Sequence, residues 1–213
     1  MRVWLDNAEL TDVAGAGLRG ALEAASAAAA ANGRVIVEVW ADGQPVSNEA
    51  LADPSPDPGA HAEVRLTTAE PRSLVAVTLH DAADAVDSVR TPQGEAASDV
   101  QGGRFDQALA GLGQVLAIWQ AAHDAVQNGA ALVGLDLNAV EFETPGGGRE
   151  GVIARVESLA GKLGELKRSV TEQDWTGVSD VLAYDLEEEA SAWGVMLRAL
   201  GDRVRAGEGT TGE

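Results

Sequence analysis

The sequence predicts an α+β protein: a small β-α-β-β-β unit over residues 1–70, then a helical domain over residues 71–206 whose two hairpins form a four-helix bundle-like arrangement. Three observations lead there. Residues 2–6, 34–46 and 62–68 are rich in Val, Ile, Leu and Trp and bounded by turn residues. One helix-periodic, alanine-rich segment, residues 11–32, separates the first two of these. From Pro71 onward the apolar spacing is helical almost throughout.

Residues 2–6 alternate, so Val3 and Leu5 share one face and Trp4 takes the other. The helix of residues 11–32 has Thr11 or Asp12 as its cap and Gly33 as its stop. A strong strand follows from residue 34, closed by an Asp42-Gly43 turn and a short return strand. Residues 48–61 are a loop punctuated by proline, and residues 62–68 form the last strand. Period two places Val35, Val37, Val39, Val64 and Leu66 toward the helix and leaves Trp4, Ile36 and Trp40 opposite. That second apolar face has two readings. Either the helical half packs on it, the preferred expectation for a layered architecture, or it binds a partner.

In the helical domain Pro71 starts a helix that runs to about residue 90, where Thr91-Pro92 ends or kinks it before a shorter piece to residue 101. A second helix covers about residues 104–133 and stops at Gly134. Residues 135–148 are a linker with room for a short strand at 139–143. Helices over about 150–171 and 174–205 complete the second hairpin, and residues 207–213 read as a disordered tail. A spacing of 70 residues matches Phe105 with Trp175, Leu112 with Leu182, Leu116 with Leu186 and Val126 with Met196, a weak internal repeat.

Composition excludes several functions. The 34 acidic and 15 basic residues leave a net charge of −19, spread along the chain. Nucleic acid and anionic membranes are therefore not expected partners, because both are held by Lys and Arg. With no cysteine there is no disulfide, thiolate catalysis or Cys-ligated zinc. No segment reaches the roughly 20 apolar residues of a membrane span, and the N-terminus has no apolar signal core, so a cytoplasmic location is expected. No cofactor or metal is expected, since dinucleotide, phosphate-loop, nucleophile-elbow and zinc-helix motifs are missing.

The acidic stretch around residue 187 holds the candidate chemistry. Projected from Leu182, Glu187 and Glu188 fall about 140° and 240° away and read as solvated. Glu189 projects into the apolar stripe of Trp175, Leu182, Leu186, Trp193 and Leu200, with Asp185 at its edge. His123 projects into the stripe of its own helix. Aligned at their starts, two parallel helices would bring His123 and Glu189 within about 6 Å along the axis. A buried hydrogen bond that fixes register is the preferred reading, an acid/base pair or half a metal site the sharper one, and an Arg155 partner for Glu189 a third. His80, Asp84 and Asp87 share one helix face, which reads as acidic surface rather than a cation site.

Residues 174–193, "DWTGVSDVLAYDLEEEASAW", resemble the closing helices of a group of bacterial proteins that join a small β-containing unit to helical hairpins. The shared form is leucine-leucine-acid-tyrosine-acid-leucine followed by a tryptophan. Val181-Leu182-Ala183-Tyr184-Asp185-Leu186 departs from it at two places. The resemblance implies architecture and carries no activity. The acidic surface, the Trp4/Ile36/Trp40 face and the missing catalytic motifs lead to the expectation of a non-enzymatic interaction module, adaptor or chaperone-like, with a protein partner or a second copy. The alternative is an enzyme or metal binder around His123, Glu189 and Asp185.

Overall fold

The computed structural model describes every residue except 12, 14–16, 56, 58–59 and 208–213. The chain divides into two units, Met1–Leu74 and Val75–Glu213. In the first, β1 (Arg2–Leu5) and β2 (Ala8–Glu9) form a hairpin, and helix α1 (Gly17–Ala31) follows. A second hairpin, β3 (Val35–Ala41) with β4 (Gln44–Pro45), leads through the short helix α2 (Asn48–Ala52) to β5 (Glu63–Ala69). The sheet order is β2-β1-β5-β3-β4, with β1 and β5 parallel and every other pair antiparallel. Two hairpins thus flank a central parallel pair, with one helix across a face.

Both hairpins close with two residues at positive φ: Asp6 and Asn7 (48° and 68°), and Asp42 and Gly43 (49° and 79°). Such turns match the right-handed twist of the strands they join. Sequence period does not reveal β2 or α2, because two and five residues are too few to establish one. Helix α1 begins at Gly17 rather than near residue 11; Thr11 lies in a turn, and the other cap candidate, Asp12, lies outside the described residues. Leu18, Ala21 and Ala25 of α1 pack on Val3, Val39, Val64 and Leu66 of the sheet. Burial of each such Val or Leu contributes about 1.5–3 kcal/mol.

One register feature overturns a face assignment. Between β3 and β5, Ile36 opposes Thr68 and Glu38 opposes Thr67, so Val37 is the extra residue of a β-bulge. The bulge inverts the alternation upstream of it. Ile36 joins the core beneath α1, and Val37 is 39% exposed. Ile36 therefore does not share the outer face with Trp4 and Trp40.

The second unit holds four long helical segments. Helix α3 (Pro71–Gln101) turns through Gly102-Gly103 into α4 (Phe105–Val133). A 3-10 turn (Leu137–Ala139) and a small hairpin, β6 (Glu141–Glu143) with β7 (Arg149–Gly151), precede α5 (Val152–Glu172). The last segment is α6 (Trp175–Asp180), a π turn (Val181–Asp185) and α7 (Leu186–Ala206) in one continuous rod. Pro92 neither ends nor breaks α3. An internal proline costs a helix roughly 3 kcal/mol. Here Val86, Val89, Ala96, Ala97 and Val100, all buried on either side of it, hold the helix together. Residues 144–148, read as linker, form the tip of the β6–β7 hairpin, where Thr144 N–H donates to the Gly148 carbonyl at 2.8 Å. Of the tail, residues 208–213 lie outside the described residues.

The repeat of 70 residues has a physical basis at one end. The Phe105 and Trp175 rings stack with centroids 4.3 Å apart, so α4 and α6 start side by side. Further along, Trp119 meets Trp193 edge-on at 5.8 Å, an offset of 74 residues (193 − 119) where the first pair has 70 (175 − 105). The π turn lies between the two contacts and inserts backbone into one rod only. The match fails at Leu116, which is 43% exposed, whereas Leu186 is fully buried.

Candidate functional site

The drift in offset separates the two groups that sequence projection brought together. By the Trp119–Trp193 contact, Glu189 lies one turn before that level and His123 one turn after it. Eight residues of helix put them about 12 Å apart along the axis. Glu189 instead turns to α5, the third of the readings above. It is 3% exposed, accepts from Ser158 Oγ at 2.5 Å, and lies 3.1 Å from Arg155 Nη1. Arg155 also donates to Glu150 at 2.6 Å. Burial works against the Arg155 charge, but its hydrogen bonds to Glu150 and Glu189 more than offset this and raise its pKa. Asp185 is held by Lys162 at 2.8 Å. Glu187, read as merely solvated, lies 3.4 Å from Arg90 of α3.

His123 is half-buried and has no polar partner among the described residues. With Leu116, Trp119, Val156, Leu159 and Leu163 it lines a groove of about 410 Å³ between α4 and α5. On α3, Asp84 and Asp87 are taken by Arg198 at 2.9 and 2.6 Å, which puts a guanidinium where a cation would sit. His80 donates from Nδ1 to the Ala76 carbonyl at 2.7 Å and directs Nε2 at Asp202, 3.2 Å away. His61 meets Asp42 at 3.2 Å. Among the described residues no group of three His, Cys, Asp or Glu side chains could hold a metal ion. No helix there is long and apolar enough to cross a membrane.

The other candidate is the outer face of the N-terminal sheet. Register aligns five residues in one row: Glu9 opposite Trp4, Trp4 opposite Arg65, Arg65 opposite Trp40, and Trp40 opposite Pro45. The row crosses all five strands at right angles to them. Arg65 lies over the Trp4 ring at 5.5 Å, a cation–π contact. Glu63, two residues back on the same strand, accepts from Arg65 Nε at 2.7 Å. That bond is the main cause of the low Glu63 pKa; partial burial opposes it, and the Arg65 and Arg2 charges assist. The guanidinium is thus held by the Glu63 carboxylate and the Trp4 ring, with Trp40 opposite it on the next strand. Beside the row is a cavity of about 370 Å³ lined by Trp4, Trp40, Arg65, Thr67, Asp6 and Asn7.

Asp6 fixes the cavity's edge. Its carboxylate accepts from the Thr68 hydroxyl and, at 2.8 Å, from the Thr68 amide, with Arg34 3.6 Å away. Those bonds, the hydroxyl first, hold its pKa below the ordinary carboxylate range. Sequence reading missed Glu9, Pro45 and, most consequentially, Arg65. Its sign was available, as an odd-position residue between Val64 and Leu66, but its neighbours depend on which strands flank β5. Compared with protein-family models, curated proteins and solved structures, the chain matches none.

Proposed function

We propose that the chain is a protein-interaction module that recognises its partner through the outer face of the N-terminal sheet. One observation carries this reading: Trp4 and Trp40 flank an anchored Arg65 in a single row, with Trp40 39% exposed. Tryptophan and arginine are the residue types that dominate binding energy at protein interfaces. A folded surface does not ordinarily group them without a partner to cover them. The edges of the sheet, β2 and β4, are only two residues long. They offer little backbone for strand addition, so recognition falls to the face. The net charge of −19 favours basic partners in the encounter step.

The acid/base alternative has less support. Glu189 and Asp185 each have a cationic partner, and His123 lies in a different groove from both. Affinity capture from the native cell tests the preferred reading, comparing wild type with the Trp4→Ala/Trp40→Ala variant. Loss of specific partners in the variant is the expected outcome, and equal recovery by both proteins overturns the reading.

A further inference from the structure

We infer that the Trp4–Trp40 row takes a proline-rich segment in the polyproline II conformation, with prolines three residues apart and a basic residue flanking them; this rests on the interface reading above. Trp4 and Trp40 sit on β1 and β3, separated by β5 alone. Two inter-strand steps of about 4.8 Å put their backbones about 9.6 Å apart. Polyproline II rises about 3.1 Å per residue and returns to the same side every third residue, so prolines at i and i+3 are about 9.3 Å apart. A segment laid along the row would therefore rest one pyrrolidine ring on the exposed Trp40 indole and the other against Trp4, whose ring Arg65 covers on one side.

Alternatives fit less well. A helix covers about 1.5 Å per residue and presents a curved face, so it meets a flat row crossing five strands at few points. An added strand needs an open edge, and the two edge strands are short. Between the indoles, Arg65 has donors to spare for backbone carbonyls, which a polyproline II segment leaves free of internal bonds. This is how aromatic-lined grooves commonly take proline-rich chains.

The ends of the row set the flank. Glu9 lies one strand beyond Trp4, exposed and without an ion-pair partner among the described residues. Glu38, on the same face opposite Thr67, is likewise exposed and unpaired. At the other end stands the uncharged Pro45. A Lys or Arg one or two residues outside the proline over Trp4 would reach Glu9.

The test uses the full chain and the synthetic peptide Arg-Ala-Pro-Ala-Ala-Pro-Ala, followed through the indole N–H resonances of Trp4 and Trp40. The peptide is expected to shift both. Moving the second proline one place closer should weaken binding about tenfold or more, and Trp40→Ala should do the same. Glu9→Gln should weaken it less, and only for peptides that carry the arginine. Equal binding of the respaced peptide, or no shift of either indole, overturns the inference. An amphipathic helical peptide and a Val/Thr-rich extended peptide, titrated in parallel, separate the two levels of the argument. If either moves the indoles while the proline peptide does not, the face remains an interface with a different ligand. If none of the three does, the interface reading falls as well.

Discussion

The network around Glu189 makes an asymmetric prediction. Arg155 has two carboxylates, Glu150 at 2.6 Å and Glu189 at 3.1 Å, whereas Glu189 has one cation and the Ser158 hydroxyl. In Glu189→Gln the amide keeps a hydrogen bond to Ser158, and Arg155 keeps Glu150, so no buried charge is orphaned. The expected loss is about 0.5–1.5 kcal/mol, the worth of one ordinary hydrogen bond. Arg155→Met leaves Glu189, 3% exposed, with a hydroxyl alone. Stranding a buried charge costs about 3–5 kcal/mol. The double variant Arg155→Met/Glu189→Leu removes both charges and should recover most of that loss. Urea unfolding followed by near-ultraviolet circular dichroism, to which the Trp119–Trp193 pair contributes, reads the helical unit. With a slope of about 2 kcal/mol per molar, Arg155→Met should lower the midpoint by about 1.5–2.5 M and Glu189→Gln by under about 1 M. Equal shifts in the two single variants, or a double variant as unstable as Arg155→Met, would refute the argument.

Two further outcomes follow from local geometry. A Cβ at Gly201 would lie 2.5 Å from the His80 ring and 3.2 Å from the Ala76 carbonyl, whereas one at Gly164 meets no atom within 4 Å. Thermal unfolding should show Gly201→Ala destabilised by about 1–3 kcal/mol, against the helix propensity of alanine, and Gly164→Ala stabilised by about 0.5–1 kcal/mol. In the N-terminal unit Asp6, Asp42 and Glu70 all have lowered pKa values, chiefly through hydrogen bonds to Thr68, Glu63 and Ser73 respectively. A carboxyl depressed in the folded state stabilises above its unfolded value, about 4, and loses that contribution as pH falls through its folded value. The protection of residues 1–69 against hydrogen exchange, taken relative to the intrinsic rate at each pH, should therefore fall below about pH 4, and Asp6→Asn should flatten that dependence; an unchanged profile in the variant contradicts the assigned role.

The order of helices was legible because a helix writes its core face at a period of 3.6, and 29 residues of α4 contain many repeats of it. Gly134 and Gly33, both at positive φ, were legible as stops for the same local reason. The Val37 bulge was not. It leaves no mark in a run of Val, Ile and Val, and only the pairing of β3 with β5 reveals that Ile36 points inward. The π turn was equally silent, and so was the four-residue drift in offset that separates Glu189 from His123. Projection treated residues 174–205 as one regular helix, which they are not.

The sequence by itself determined the division into a β-rich unit and a helical one, most turn positions, the acidic charge, and the presence of two tryptophans on a strand face. These are properties of single residues and of periods along the chain. Tertiary structure alone decided what stands beside what: Arg65 between Trp4 and Trp40, Arg155 rather than His123 against Glu189, Arg198 over Asp84 and Asp87. The physical reason is that pairing depends on strand order and inter-helix register. The Val37 bulge changes which β3 side chains face the helix, and the π turn shifts one rod locally, while composition is left untouched.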